Sequence, residues 1–556
     1  MLDYKDVSFS FRDRKTRRRR QKLRWLLLAI LVLAAFLGYR SFRAAADVAA
    51  IQDLLLAGRL PAAEKRLQAA GAPFFQRRNF AELRALNDLF HGRLQAGAAQ
   101  LDRLRRERAA TSLRCGQMLK HFFDRGEYRA LKVYADYLLP RGGDEARWFQ
   151  ALYLAAFMDA AGSEKAVSGL SAPFRKANGK ALELLSAFQR DLRSGRVDYL
   201  FDRNERPLAY YDVRRRSTRA LVPGIRFSDF ATQFKNGFRR FRLTLDRELQ
   251  EKVDLLFRDR FGTLVLMDLP ENSIAVSYSK PRFSRDANAA WTEQFEPGSI
   301  VKVLSLLAYL RRPGPGIFPV ECPGSLTLAG RIIYDLEKHG PVRDVAQALA
   351  RSCNVSFARM GQSVGFPALA DLLRLFFFNG PPVRAPFFSF AVGSFTDRAG
   401  DERLLAELAT GLGGTTMTTM HAAVLAAVLA QDGLYFPPFL VDDAKNILGL
   451  GFYRHASSPR RLLADDLNFL RVKKAMVAVV EDEKGTGRRA RHAQVRLAIK
   501  TGTAPSPAGG LDALIAGFFP LEKPRYAFAF RLEGGGRAEI NGAILLQGLL
   551  RLLYPE

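Results

Sequence analysis

The chain has 556 residues, with 85 Lys and Arg against 56 Asp and Glu, a net charge of +29. That length implies two or three domains, and a hydrophobic share of 48% is enough to fill their cores. The positive charge points to anionic neighbours, but zinc-finger spacing, RNP-like motifs and basic-aromatic stripes are all missing, which excludes nucleic acid as the expected partner. Three cysteines (Cys115, Cys322 and Cys353) make no disulfide framework. A Cys322–Cys353 bridge stands as an alternative to buried free thiols. The six histidines are scattered, none at ligand spacing from a cysteine, so no metal site and no cofactor are predicted.

Residues 1–24 form a basic tail containing Arg17–Arg20, Lys22 and Arg24. Trp25 to Tyr39 is an uncharged run of 15 residues, short of the ~20 that cross a bilayer comfortably. Snorkelling Arg24 and Arg40, with Trp25 and Tyr39 at the two interfaces, close that gap. A cleaved signal peptide ending at Ala44-Ala45-Ala46 is the rival reading, disfavoured by Arg40 and Arg43 between the run and the site. The expectation is an uncleaved anchor over 25–40. Positive charge before the span places the N-terminus in the cytoplasm and the remainder outside.

Residues 45–197 read as all helix. Gly58-Arg-Leu-Pro-Ala-Ala-Glu-Lys-Arg-Leu and Gly126-Glu-Tyr-Arg-Ala-Leu-Lys-Val-Tyr each place a glycine turn before small and apolar residues at helical spacing. This suggests tetratricopeptide-type helix pairs of irregular period, or a non-repeating helical bundle. Residues 198–242 have strand and turn character and read as a pedestal or linker. Beyond them, 262–277 reads as a hairpin around Pro270-Glu271-Asn272. The stretch from about 340 to 440 reads as mostly helical. Val495–Ile499 is a strand leading into Lys500-Thr501-Gly502-Thr503, and 514–519 is another. Tyr526, Phe528, Phe530 and Leu532 alternate as on a strand, and a helix runs from about Glu539 to Leu553. Strands flanking a helical centre predict an α+β domain over 243–556, an antiparallel sheet with a helical subdomain.

The chemistry centres on Glu296-Pro297-Gly298-Ser299-Ile300-Val301-Lys302. Pro and Gly break the preceding chain and the apolar run from Ile300 to Leu310 predicts a helix, so Ser299 sits in its first turn. Lys302, three residues on, falls on the same helix face. A desolvated neutral amine can take the serine proton, and the helix start offers free N–H groups to an oxyanion. Ser352-Cys353-Asn354 follows an apolar helix over 345–350, and Lys500-Thr501-Gly502 lies on a strand farther on.

Ser-x-x-Lys, Ser-x-Asn and Lys-Thr-Gly in this order resemble the motif set of penicillin-binding proteins and serine β-lactamases. Glu296-Pro-Gly-Ser, His339-Gly340, Gly485-Thr-Gly487 and Gly517 are also similar to that family over 243–556. Asp202-Arg-Asn-Glu-Arg-Pro-Leu-Ala209 resembles the pedestal opening of the monofunctional, class B members. The helical module between anchor and pedestal departs from their layout. The resemblance implies a peptidoglycan D,D-transpeptidase acting by serine acyl transfer on stem peptides, inhibited covalently by β-lactams. It gives Ser299 as nucleophile, Lys302 as base, and Ser352 as proton relay. Asn354 is the residue that holds the substrate amide and Lys302, and Lys500, Thr501 and Thr503 bind the terminal carboxylate. The N–H groups of Ser299 and Thr503 form the oxyanion hole, burial together with nearby positive charge such as Lys500 lowers the Lys302 pKa, and Gly502 leaves room for substrate. The implied setting is the inner membrane, with a single pass, an extracytoplasmic catalytic domain, a polytopic glycosyltransferase and other cell-wall assembly proteins. A D,D-carboxypeptidase, a β-lactamase-like hydrolase and a non-catalytic β-lactam-binding scaffold or sensor are the alternatives. Cys353 reads as a core residue and not a nucleophile.

Overall fold

A computed structural model describes the chain except residues 1–5, 72–75, 106–112, 236–237, 283–287, 313–315, 329–330, 399, 508 and 556. The first five residues of the expected basic tail therefore lie outside the described residues. The chain divides into two units, Met1–Arg190 and Asp191–Glu556.

In the first unit one helix runs from Asp6 to Leu56. Its Gln21–Leu56 part is long and apolar enough to cross a membrane. Apolar side chains from Leu23 to Phe42 are exposed, whereas Ala44, Val48, Ile51 and Leu55 are buried. Those four, spaced four, three and four apart, form one helix face. That face packs on the helices Leu60–Ala69, Arg77–Phe90 and Cys115–Asp124. One continuous helix thus carries both the bare apolar stretch and the first packed element of the module.

Four turns of one kind follow. Gly58, Gly92, Gly126 and Met158 all have positive φ, between 67° and 73°. At each, that residue's N–H donates three residues back and the next N–H five back, as in Gly92 to Leu89 and Arg93 to Asp88. The four positions are 34, 34 and 32 residues apart, the period of tetratricopeptide helix pairs. The second turn repeats the pattern after Gly58, as Gly92-Arg-Leu-Gln-Ala-Gly-Ala-Ala-Gln-Leu, a match that reading only the Gly58 and Gly126 stretches overlooks. Met158 also stands where a glycine would mark the fourth turn.

The second unit is built on a five-stranded antiparallel sheet in the order Ala498–Pro505, Leu511–Phe519, Tyr526–Leu532, Gly262–Asp268, Ser273–Lys280. The strands are apolar on both faces because both are covered. The fully buried helix Thr419–Ala430 packs against the three central strands. Arg247–Phe257 packs on Ser273–Lys280 and on the closing helix Ala543–Leu553. The strand carrying Lys500 begins at Ala498, three residues later than expected, and is an edge strand with one outer side unpaired.

The expected helical stretch contains Val345–Ala350, Asn354–Val364, Phe366–Leu375, Glu402–Thr410 and Thr419–Ala430, interrupted by the short pair Val383–Ala385 and Phe388–Phe390. A second sheet joins Arg196–Phe201, Pro207–Asp212, Ser217–Ala220 and Phe238–Leu243 to Val441–Asn446 and Gly451–Arg454. The 196–243 region therefore shares its sheet with strands more than 190 residues later. Asp202 holds its tight turn: the buried carboxylate accepts the N–H groups of Asn204 (2.8 Å) and Arg206 (2.7 Å).

Candidate active site

Ser299 lies in a single 3-10 turn, Gly298–Ile300, that leads into the helix Lys302–Arg311. The turn is pressed between two backbones. A Cβ at Gly298 would stand 3.0 Å from the Thr503 carbonyl, and one at Gly411 1.9 Å from the Gly298 carbonyl. Gly502 is closed in the same way, its Cβ position 2.8 Å from the Pro297 carbonyl and 3.1 Å from Ile300. This corrects the reason expected for Gly502. The close approach there is the protein's own backbone, which seats the Ser299 turn on the edge strand.

The helix Val345–Ala350 ends in a Schellman motif, with Cys353 N–H donating to Ala348 and Ser352 N–H to Leu349. Ser352 occupies the left-handed position, φ +55°, that glycine usually takes. A non-glycine residue there costs about 1–2 kcal/mol, a strain held by the surrounding bonds. Cys353 is fully buried and caps the next helix, its Sγ accepting the Ser356 N–H at 3.4 Å. Ser352 and Asn354 are thereby presented together at the junction of two helices.

Lys302 is fully buried. Its Nζ donates to the Ser352 carbonyl (2.6 Å), to Ser352 Oγ (3.3 Å) and to Asn354 Oδ1 (2.6 Å). It also lies 5.3 Å from the centre of the Phe357 ring. Asn354 Nδ2 donates to the Tyr334 carbonyl at 2.8 Å, which fixes the amide. Lys500, buried as well, donates to Ser352 Oγ at 3.0 Å and to the Thr501 carbonyl at 2.7 Å. Two lysine amines and one hydroxyl from three distant motifs therefore meet at one point. Ser299 Oγ has no hydrogen-bond partner among the described residues; it faces the cleft.

Burial lowers the Lys302 pKa to about 8, against opposing pulls from Asp335 and Cys353. Lys500 falls well below the usual lysine range, first through burial and then through the Lys302 charge. Burial is thus the first cause for both amines, and the repulsion between the two cations, which is mutual, disfavours charging them together.

The cleft encloses about 230 Å³ and is lined by Ser299, Ser352, Asn354, Thr501 and Thr503. Thr501 Oγ1 lies 2.6 Å from Thr486 Oγ1, and Thr486 in turn donates to the Ala350 carbonyl. Thr503 Oγ1 accepts the Ala538 N–H at 3.2 Å. Thr486, Arg537 and Glu539 also line the cleft. Sequence reasoning named Gly485-Thr-Gly487 only as a family-like segment and missed the other two. No local pattern marks them, because the closing segment reaches the cleft only when Ala538 meets Thr503. Glu539, the one carboxylate in the lining among the described residues, is paired with Arg537 at 2.6 Å.

Comparisons with known proteins agree with this geometry. The family described as penicillin binding protein transpeptidase domain matches residues 262–546, just over half of the chain. Peptidoglycan D,D-transpeptidase PbpA of Mycobacterium tuberculosis is 29% identical over 282 residues, 46% of this chain and 54% of that protein. Probable peptidoglycan D,D-transpeptidase PbpC of Pseudomonas aeruginosa is 25% identical over 335 residues, 54% of this chain and 56% of that protein. The chain spans about half the length of the curated relatives it matches. Among solved structures, the ceftriaxone acyl-enzyme complex of penicillin-binding protein A from M. tuberculosis gives a TM-score of 0.57 at 18% identity, covering 64% of this chain and 98% of that one. The D,D-transpeptidase domain of a peptidoglycan glycosyltransferase from Eggerthella lenta gives 0.56 at 19%, covering 65% and 99%. At these identities the structures establish the fold. With its three motifs converging on one cleft and the family match covering that whole region, the chain belongs to the penicillin-binding-protein transpeptidase family.

Proposed function

We propose that this protein is a membrane-anchored serine D,D-transpeptidase that cross-links peptidoglycan. The observation that carries the reading is the buried Lys302 amine, bonded to both Ser352 and Asn354, with Lys500 on the same Ser352 hydroxyl. Ser299 Oγ attacks the carbonyl between the two D-alanines of a stem peptide while Lys302 takes its proton. The N–H groups of Ser299 and Thr503 stabilise the oxyanion. The C–N bond then breaks, Ser352 passes a proton to the departing D-alanine amine, and the ester on Ser299 remains. Lys500, Thr501 and Thr503 hold the terminal carboxylate, and the substrate strand lies along the edge at 499–503. An amine of a neighbouring stem peptide attacks the ester, releasing Ser299 and forming the cross-link.

The helix 21–56 supports an anchor with its N-terminus in the cytoplasm and the catalytic unit outside. The division proposed is a tail over 1–24, an anchor over 25–40, a helical module over 45–197, a pedestal over 198–242 and the transpeptidase domain over 243–556. β-Lactams act as covalent inhibitors, as the acyl-enzyme complex of the mycobacterial protein illustrates for that protein. A polytopic glycosyltransferase is the proposed partner in the same membrane, with the helical module binding a cell-wall assembly protein. Labelling with a fluorescent penicillin tests the reading. Wild type is expected to form a long-lived adduct and Ser299→Ala none. An adduct that persists in Ser299→Ala overturns it, and one that fades quickly in wild type favours a hydrolase.

A further inference from the structure

Four ligand-type side chains from four separated positions meet beside the second motif. Cys322 ends the strand Val320–Cys322, and His339 precedes the strand Gly340–Val342 that pairs with it, Gly340 opposite Cys322. Asp335 follows the strand Arg331–Tyr334, and Cys353 caps the helix Asn354–Val364. Cys322 Sγ, Asp335 Oδ2 and His339 Nδ1 are pairwise 3.5 Å apart, and all four ligand atoms lie within 4.8 Å of one another. Both cysteines are fully buried, and the Asp335 and His339 side chains are 1% and 3% exposed.

We propose that Cys322, Asp335, His339 and Cys353 bind a zinc ion in a closed, four-coordinate structural site. Bonds of about 2.0–2.3 Å at tetrahedral angles place ligand atoms roughly 3.3–3.8 Å apart, the separation seen among Cys322, Asp335 and His339, with Cys353 Sγ within 4.8 Å of each. Two sulfurs and an imidazole select zinc over magnesium or calcium. Four protein ligands leave no open position for water, which marks the site as structural. An outer layer of bonds is in place as well. Ser356 donates its N–H and Oγ–H to Cys353 Sγ (3.4 and 3.2 Å), and Val355 N–H donates to Asp335 Oδ2 at 3.3 Å. Glu337 Oε1 stands 3.8 Å from His339 Nε2, the ring nitrogen left free by metal on Nδ1. Binding displaces the two thiol protons to solvent. The sequence reading dismissed metal because it sought Cys and His at short spacing; these ligands are brought together by strand pairing and a helix cap.

The site also explains how the second motif keeps its strained geometry. Cys353 lies between Ser352 and Asn354, and Asp335 adjoins Tyr334, whose carbonyl holds the Asn354 amide. Zinc would clamp both sides of the loop that presents Ser352 to Lys302. This consequence rests on the acyl-transfer reading, whereas the metal site does not.

The test uses the full-length chain in detergent, loaded with zinc and dialysed, with metal measured by inductively coupled plasma mass spectrometry and thiols titrated after denaturation. About one zinc per chain is expected in wild type and in Ser299→Ala. Cys322→Ser and His339→Ala are expected to lose it. Cobalt loading is expected to give thiolate charge-transfer absorption in wild type, which needs no variant to fold. Wild type that stays metal-free with three free thiols, or carries a Cys322–Cys353 disulfide and one free thiol, overturns the proposal. On the same samples, stripping the metal is expected to slow penicillin labelling at least about tenfold, restored by zinc. Bound zinc with unchanged labelling after stripping overturns the clamp. Bound zinc with no labelling in any sample counts against the acyl-transfer reading and leaves the metal site standing.

Discussion

Replacing Lys302 by Met separates two consequences of burying an amine beside Ser299. Burial brings its pKa from 10.5 to about 8. At pH 7 this leaves about one amine in eleven neutral, against roughly one in three thousand at 10.5, so the structure makes the base some 300-fold more available. Losing a positioned base costs about 10²–10⁴-fold in rate, and Lys302→Met is expected to lose at least that much penicillin acylation. The wild-type rate is expected to climb with pH and level off above about 8. Stability carries the opposite mark. The folded pKa lies below the unfolded one, so the unfolded chain binds more protons between pH 8 and 10.5. The cost of the buried charge is present in full below that window and disappears as pH rises through it, a change of roughly 3 kcal/mol. Lys302→Met also leaves the Ser352 carbonyl and Asn354 Oδ1 without their donor, worth about 1–3 kcal/mol. The net change at pH 7 is therefore small, and the sharper measure is the pH dependence of the difference between wild type and variant. Time-resolved gel labelling from about pH 6 to about pH 9 reads the first effect, and urea unfolding on either side of the window reads the second. A wild-type rate flat across that range, or a variant within about tenfold of wild type, refutes the reasoning.

Gly411→Ala is expected to abolish labelling and lower the melting temperature, since at φ +81° its Cβ meets the Gly298 carbonyl at 1.9 Å; normal labelling would show that the Ser299 turn does not need this seat. Arg531 is buried between Asp512 (2.6 Å) and Glu293 (2.7 Å). Arg531→Met, which leaves the buried Asp512 carboxylate unpaired, is expected to cost about 3–5 kcal/mol by urea unfolding, much of it recovered by adding Asp512→Leu. His421 accepts the Gly393 N–H on Nδ1 and therefore donates from Nε2 to the Phe376 carbonyl, so it is neutral when folded. Burial lowers its pKa from 6.5 to about 4, so stability is expected to fall by roughly 3 kcal/mol as pH drops through that window. His421→Gln is expected to flatten the fall, measured as the urea midpoint at both ends; an unchanged slope would refute the assignment.

What could be read without coordinates was written in neighbouring residues. Pro297-Gly298 before an apolar run announced a helix start. The three-residue step to Lys302 placed it on the face of Ser299, because one helical turn is a local geometry. The apolar helix ahead of Ser352, the hairpin around Pro270-Glu271-Asn272 and the alternation from Tyr526 to Leu532 were legible for the same reason. The 34-residue period was only half legible, since Met158 adopts the positive φ that glycine would have advertised.

What only the tertiary structure decided is where separated segments meet. Nothing local in 441–454 says that it completes a sheet with 196–243. Nothing around Lys302 says that its amine is fully desolvated, which is what lowers its pKa. Gly502 looked like room for a substrate and is the seat of Pro297. Cys322, Asp335, His339 and Cys353 are scattered in sequence and become one cluster through a strand pair and a helix cap. The sequence alone determined the motifs and the local turns that carry them, because those depend on adjacent dihedrals and side-chain period. Burial, charge coupling and ligand convergence depend on long-range packing, which no short stretch of the chain encodes.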